Sequence, residues 1–154
     1  ELTRPLKQYA RAFRKTVRSH DFVRYEGVVS RERLTALVSR SKYGLHGMDA
    51  EHFGIAVAEL LAGGTIPFVP RSGGQQEIVG HCDDVLYDSR ADAVETIERV
   101  LAEPATQRDI RRRLPDASSQ FDERRFKQSI RELVSRLLEE GDWNNVQTTV
   151  NFGE

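Results

Sequence analysis

Residues 51–79 read EHFGIAVAELLAGGTIPFVPRSGGQQEIV, and this stretch decides the fold. An apolar run between two carboxylates, Glu51 and Glu59, predicts a helix over residues 51–62. A glycine pair ends that helix. Residues 66–69 are apolar without alternation, which is typical of a strand covered on both faces. A glycine-rich turn and a short helix follow, so the stretch predicts a helix, a buried strand and a second turn.

The composition predicts a soluble globular protein. With 154 residues the chain has the length of one domain, and 38% hydrophobic residues are enough for a sizeable core. A net charge of −1 gives no overall attraction to nucleic acid, so we expect no nucleic-acid partner. The single cysteine, Cys82, excludes an internal disulfide and favours a reducing compartment, which we take as the cytoplasm. No apolar run approaches the roughly 18 residues of a membrane span, so none is expected.

Short apolar segments alternate with helical ones along the chain, which predicts an α/β fold. We expect a Rossmann-like open parallel sheet flanked by helices. Amphipathic helices are predicted over residues 6–18 and 122–140, the second with its apolar side facing inward. We assign residues 1–140 to this domain and residues 141–154 to a tail of unknown role. The predicted strands are residues 21–26, 42–46, 66–69 and 85–87.

A ligand site is expected where the central helix begins. Ligands of open parallel sheets bind beyond the carboxyl ends of the strands. The first N–H groups of the helix, near His52, Phe53 and Gly54, lack helical partners and suit a phosphate. Gly73 and Gly74, after the next strand, offer further backbone N–H groups at the same edge. The sequence therefore predicts an anion site there.

The two carboxylates define a length. On a continuous helix, Glu59 lies roughly 12 Å beyond Glu51 along the axis. This matches a sugar, a diphosphate and a ribose in a row, and carboxylates accept hydroxyl hydrogen bonds strongly. Glu51 is equally well explained as an ordinary first-turn acid. Glu59 is harder to explain without a ligand, because it interrupts an apolar run and buried carboxylates are costly.

Other chemistries are disfavoured by the pattern. His46 and His52 lie six residues apart, which is not a metal-ligand spacing, so no metal site is predicted. Cys82 follows His81, but no acid or oxyanion motif supports a nucleophile pair. A basic cluster lies at residues 108–113, but it lacks the interleaved aromatic residues on which bases stack. Nucleic-acid binding is therefore only weakly supported.

These residues resemble the C-terminal, donor-binding half of a GT-B glycosyltransferase of the retaining family 4 type. The E-x7-E motif from Glu51 to Glu59 is the centre of the resemblance. It extends through residues 62–65 and 72–79, and it includes residues 23–30 and 121–126. The similar region covers about residues 20 to 140.

The resemblance implies a role for each site residue. Glu51 is implied as the catalytic residue, facing the donor sugar and stabilising charge near its anomeric centre. Glu59 is implied to bind the ribose. No metal or other cofactor is implied, because helix dipoles and basic side chains take that place. The implied donor-binding residues are His52, Phe53, Gly54, Ile55, Glu59, Gly73 and Gly74.

The implied partner is a nucleotide sugar, and the implied reaction is hexose transfer with retention to a glycan or lipid-linked acceptor. Residues 44–55 resemble most closely family members that transfer mannose from GDP-mannose. Members with similar motifs use other nucleotide sugars, so the base and sugar stay open at this point.

The sequence also departs from the family pattern. The Gly-Arg strand with its lysine and the strand ending in Gly-x-Gly are not found ahead of Phe22, and no N-terminal acceptor domain is present. We therefore expect a fragment that lacks its first strands, binds nucleotide sugar weakly and transfers nothing alone. An open apolar sheet edge would invite self-association. The full-length protein is expected in the cytoplasm or peripherally at a membrane.

Two alternatives keep the fold and change the function. One is a non-catalytic nucleotide-binding or regulatory domain. The other is a GT-B domain of the nucleotide-sugar epimerase type. The pair of carboxylates favours the transferase, because a mere scaffold has no use for Glu59.

Overall fold

The computed structural model describes residues 4–116 and 121–140. The predicted tail at residues 141–154 lies outside the described residues. The helices and strands, in chain order, are α1 (Arg4–Ser19), α2 (Arg31–Arg40), β1 (Tyr43–Leu45), α3 (Ile55–Ala62), β2 (Ile66–Pro70), α4 (Gln75–Ile78), a 3₁₀ turn (Asp83–Val85), β3 (Leu86–Tyr87), α5 (Arg90–Ala102), α6 (Pro104–Arg113) and α7 (Glu123–Glu140).

Three parallel strands form the sheet, in the order β1-β2-β3. Tyr43 pairs with Ile66 across the first ladder, and Val69 pairs with Leu86 across the second. Helices follow each strand, so the α/β class with a parallel sheet is confirmed. Because all three strands run the same way, their carboxyl ends meet at one edge of the sheet.

The core is built around β2, all five of whose residues are buried. Phe68 is 1% exposed and its ring stacks on Tyr43 with centroids 6.4 Å apart. Val57 of α3 and Val100 of α5 are fully buried in the same cluster. This burial explains why every residue of the strand is apolar, since side chains on both of its faces are covered.

The chain divides into two compact units, Glu1–Ala36 and Leu37–Glu154. In the first unit, Glu26 pairs with Arg24 at 2.7 Å and with Arg33 at 3.0 Å. The hydrogen bond from Arg33 is the main reason that the pKa of Glu26 lies below its usual value. The second unit contains the whole sheet and the candidate site.

The predicted strand at residues 21–26 is wrong. These residues are irregular, and Phe22 is 86% exposed. A strand requires a neighbour that pairs with its backbone, and the described part of the chain offers residues 21–26 no such partner. The apolar residues Phe22, Val23 and Tyr25, followed by Gly27, suggested a short strand but could not show whether a second strand pairs with it.

Two helix predictions also need correction. The central helix begins at Ile55 rather than at Glu51, because Gly54 has φ 96° and ψ 50° and so cannot belong to a right-handed helix. Helix α7 has the predicted length, but its apolar stripe does not face inward. Leu133 and Leu137 are half-buried, but the other four of its predicted members are between 44% and 70% exposed: Phe126, Ile130, Val134 and Leu138. An amphipathic stripe indicates that a helix can pack, not what it packs against.

Candidate functional site

Two loops meet at the carboxyl edge of the sheet. The first loop, residues 46–54, joins β1 to α3, and the second loop, residues 71–74, joins β2 to α4. The first loop starts in the sheet, because the His46 N–H donates to the Phe68 carbonyl at 2.9 Å. The Tyr87 hydroxyl, at the end of β3, donates to the His46 carbonyl. Burial first, and then the charge of Asp49, raise the pKa of Tyr87, so this phenol keeps the proton that it donates.

The two loops are joined backbone to backbone. Gly74 N–H donates to the Glu51 carbonyl at 2.8 Å, and Ala50 N–H donates to Ser72 Oγ at 3.1 Å. A methyl group on Gly73 would lie 2.8 Å from Glu51 N, and Gly73 has φ +67°. Gly73 is therefore required both by the close approach of the two loops and by its positive φ. The Gly74 N–H, which the sequence suggested as a donor to an anion, is instead taken by the Glu51 carbonyl.

Gly54 sets the direction in which α3 leaves the first loop. It is buried with φ +96°, and a Cβ there would lie 3.2 Å from Ile78 Cδ1. Its carbonyl accepts from Val57 N–H at 2.9 Å and Ala58 N–H at 3.1 Å, which starts the helix. The amides of Ile55 and Ala56 come before these first intrahelical bonds. Such amides carry partial positive charge and suit an anionic group.

Glu51 lies in the first loop and not in the first turn of a helix. Its side chain is half-buried, and its carboxylate has no hydrogen bond or ion pair within the described ranges. Glu51 is therefore not a first-turn acid that interacts favourably with the helix dipole, because α3 begins four residues later. A half-buried carboxylate without a protein partner can accept hydrogen bonds from a ligand.

Glu59 is on α3, one turn after Ile55 and on the same face of the helix. It is half-buried, whereas Val57 occupies the core side of α3. The expected 12 Å between the two carboxylates assumed one continuous helix from Glu51. Only the four steps from Ile55 to Glu59 are helical, so that length does not follow from helix geometry.

The aromatic residue of the first loop has a neighbour that the sequence did not reveal. Phe53 is 46% exposed, and its ring meets that of Phe121 edge to face with centroids 5.2 Å apart. His52 beside it is exposed, and Ile55 is 67% exposed. The only sequence signal for Phe121 was its place in a family-like segment, which says nothing about a contact 68 positions back along the chain.

The residues of this edge match a known family. The sequence profile described as "Glycosyl transferases group 1" matches residues 7–116, which is more than half of the chain. The chain belongs to the group 1 glycosyl transferases.

Curated relatives share one printed name, GDP-Man:Man(3)GlcNAc(2)-PP-Dol alpha-1,2-mannosyltransferase. The protein from Dictyostelium discoideum is 31% identical over 133 residues, covering 85% of this chain and 26% of its own length. The Homo sapiens protein is 32% identical over 124 residues, covering 77% and 25%. The Caenorhabditis elegans protein is 32% identical over 113 residues, covering 70% and 24%. The chain thus spans about a quarter of the length of these relatives.

Two other groups of polar residues in this group 1 domain bear on metal binding and nucleophilic catalysis. The described residues contain no group of three or more histidine, cysteine or acidic side chains placed to hold a metal ion. Cys82 is 6% exposed, and burial is the main cause that raises the pKa of its thiol. A neutral, buried thiol is a poor nucleophile, and Cys82 belongs to the hydrophobic core of the structure.

A groove of about 700 Å³ lies beside α5 and α6 and is lined by charged residues. Asp84 accepts hydrogen bonds from Arg99 at 2.8 Å and from Arg113, which also pairs with Asp109 at 2.9 Å. The Arg113 hydrogen bond, followed by that of Arg99, lowers the pKa of Asp84. Because these charges satisfy one another, we assign the groove a structural role.

None of the described helices is both long enough and apolar enough to cross a membrane.

Proposed function

We propose that this chain is the donor-binding domain of a retaining glycosyltransferase that takes mannose from GDP-mannose. One observation carries the proposal: the Glu51 carboxylate is half-buried and has no partner among the residues described, where two glycine-rich loops meet beyond β1 and β2. This edge is where open parallel sheets bind ligands. Membership of the group 1 family and the printed names of the relatives support a nucleotide sugar, and GDP-mannose in particular.

The sugar binds beside the first loop in this proposal. Glu51 is the catalytic residue, and its negative charge stabilises the positive charge that develops at the anomeric carbon. His52 and Phe53 are exposed enough to contact the sugar and the diphosphate. No metal ion is part of the proposal.

The diphosphate and the ribose occupy the rest of the edge. The backbone amides of Gly54, Ile55 and Gly73 come from both loops, which are joined at the bond from Gly74 N–H to the Glu51 carbonyl, so they can share one diphosphate. Gly74 serves the donor site by letting the two loops approach, because its own N–H is taken by that bond. Glu59, on the face of α3 that carries Ile55, accepts hydrogen bonds from the ribose hydroxyls.

Transfer with retention follows from attack on the face that the diphosphate leaves. The acceptor hydroxyl bonds to the anomeric carbon while the bond from that carbon to the diphosphate oxygen breaks. The proton of the hydroxyl passes to the departing diphosphate, so the donor itself supplies the base.

The acceptor belongs to a second domain in this proposal. The relatives are about three times as long as this chain, and their name specifies a lipid-linked acceptor. The exposed apolar stripe of α7 supports packing against further protein, and in the isolated chain it favours self-association. We therefore expect weak donor binding and no transfer by these 154 residues alone.

Calorimetric titration of GDP, UDP and ADP and of their mannose or glucose esters tests the proposal. We expect GDP and GDP-mannose to bind most tightly. Glu59→Ala should weaken both at least tenfold, since about 1.4 kcal/mol corresponds to tenfold and hydrogen bonds to charged groups exceed it. Glu51→Gln should weaken GDP-mannose and leave GDP unchanged. Glu95→Ala, at an exposed position of α5, is the matched control. Absence of nucleotide binding, or equal binding by Glu59→Ala, would contradict the proposal.

A further inference from the structure

The side chain of Gln75 is fully buried at the start of α4, directly after the second loop. Its Nε2 donates two hydrogen bonds, to the Met48 carbonyl at 3.1 Å and to the Pro70 carbonyl at 3.3 Å. The partners lie 27 and 5 positions away along the chain, so the buried amide connects the first loop and the end of β2 to the start of α4.

The orientation of this amide is fixed by its partners. Both are carbonyls, which only accept, so the NH₂ group must face them. Gln75 Oε1 is buried and accepts no hydrogen bond from any residue that the structure describes. An unpaired buried acceptor is unfavourable, so the polar group is not explained by stability alone. What distinguishes glutamine from an apolar residue of its size here is the pair of donations.

The two carbonyls belong to the two sides of the candidate site. Met48 lies in the first loop, three residues before Glu51, and Pro70 is the last residue of β2. The Gln75 side chain also lies beneath Gly54, where an added Cβ would be 3.4 Å from Gln75 Cβ. Residue 75 therefore contacts the first loop before Glu51 and at the start of α3, and holds both against the end of the sheet.

We propose that Gln75 is a positioning residue, which sets the place of the first loop, and so of Glu51 and the Gly54–Ile55 amides, for the donor. This inference rests on the proposed function, because the site that it positions is the donor site. Gln75 itself touches no part of the donor in this account. Its effect passes through the two carbonyl contacts.

Paired variants at Gln75 and Gln76 test the inference. Gln76 is the neighbouring glutamine, half-buried, and its Nε2 donates within the second loop, to Gly73 O at 3.4 Å. Gln75→Met removes both donations while keeping length and flexibility. Gln75→Glu offers one O–H donor when protonated and none when ionised. The matched controls are Gln76→Met and Gln76→Glu.

The readout is GDP-mannose affinity from pH 5 to pH 8, expressed as the ratio to the wild-type chain at each pH. His46, Asp49, Glu51, His52, Arg71, Glu77 and Tyr87 also titrate or carry charge on the neighbouring segments, and the ratio removes their contribution. Gln75→Met should lose at least tenfold at every pH. Gln75→Glu should lose at least tenfold at pH 8 and recover part of it towards pH 5, as its buried carboxyl gains a proton. The Gln76 variants should stay within twofold.

Hydrogen exchange of the amides in the first loop gives a second readout that needs no ligand. Exchange over residues 47–54 should be faster in Gln75→Met than in Gln76→Met, with both variants folded by their melting curves. Equal affinity of wild type and Gln75→Met, or a Gln75→Glu ratio that does not change with pH, would overturn the inference and leave the proposed function standing. A wild-type chain that binds no nucleotide sugar would overturn both.

Discussion

The N–H of Gly74 donates a hydrogen bond to the backbone carbonyl of Glu51 at 2.8 Å, and this bond joins the two loops of the candidate site. Gly74 has φ −70° and ψ −16°, a conformation open to any residue, so its lack of a side chain is needed only for space. A Cβ would collide with the His52 carbonyl and lie 3.2 Å from Phe53 Cα. Glu51 is thus held by a contact that only glycine permits.

Gly74→Ala should therefore separate the loops. We expect a loss of about 1 to 3 kcal/mol in the free energy of unfolding, as for an overpacked site, and weaker GDP-mannose binding. Gly47→Ala is the control in the first loop, because a Cβ there has no atom within 4 Å. Urea denaturation and calorimetry measure both quantities. A Gly74→Ala chain as stable as Gly47→Ala would show that the close approach is absent.

Metal removal should leave donor binding unchanged. The proposed site neutralises the diphosphate with backbone amides from two loops and uses no metal ligand. Titrations of GDP-mannose with excess EDTA and with added Mg²⁺ should give affinities within about twofold of each other. A tenfold drop in EDTA would mean that a divalent cation holds the diphosphate.

The Asp84 cluster should make stability depend on pH in the acid range. The pKa of Asp84 is lowered in the folded chain by its two arginine partners. The stabilisation by these ion pairs is therefore fully present above the pKa of an unfolded aspartate, about 4, and is lost as pH falls through the folded value. Asp84→Asn should cost roughly 1 to 2 kcal/mol at pH 7, discounted because both arginines are about half exposed. Near pH 2 the difference from wild type should shrink.

Asp83→Asn is the control for this measurement. Asp83 pairs with Arg71 at 2.6 Å, but its side chain is 82% exposed, so we expect little effect at either pH. Equal losses for Asp83→Asn and Asp84→Asn, or a loss at Asp84 that is the same at pH 2 and pH 7, would contradict the structural role of the groove.

The centre of the core should respond strongly to truncation. Phe68→Ala removes a side chain that is 1% exposed and stacked on Tyr43, so a loss of about 3 to 5 kcal/mol is expected. Phe126→Ala removes the same atoms from an exposed position on α7 and should change stability little. Thermal unfolding followed by circular dichroism compares the two. Similar losses would mean that β2 is not the centre of the core.

Local patterns were sufficient to predict much of the sheet and several helices. Residues 66–69 are apolar without alternation, which predicted a strand covered on both faces. The structure has that strand as β2, and all of its residues are buried. The ends of α6 also carry local signals, with Pro104 in its first turn, where proline is accommodated, and arginines in its last turn. Such signals depend on neighbours in the sequence.

The errors arose where distant residues decide the structure. Gly54 was predicted inside a helix, but contacts with Gln75 and Ile78 accompany its left-handed conformation. The contact of Gln75 with Met48 spans 27 positions, and no local pattern reports it. Residues 21–26 have the apolar content of a short strand but no pairing neighbour in the described structure. The candidate site residues were proposed from the family-like motif, whereas the contacts that hold the two loops together became visible only in the structure.

The central claim is that a nucleotide sugar binds where the two loops meet, and backbone amide NMR tests it most directly. Titrating GDP-mannose into the ¹⁵N-labelled 154-residue chain should shift the amides of residues 52–55 and 73–74 most strongly, with GDP shifting the same set except near His52. Shifts confined to other parts of the chain, or no shifts at ligand concentrations that saturate related donor domains, would contradict the account.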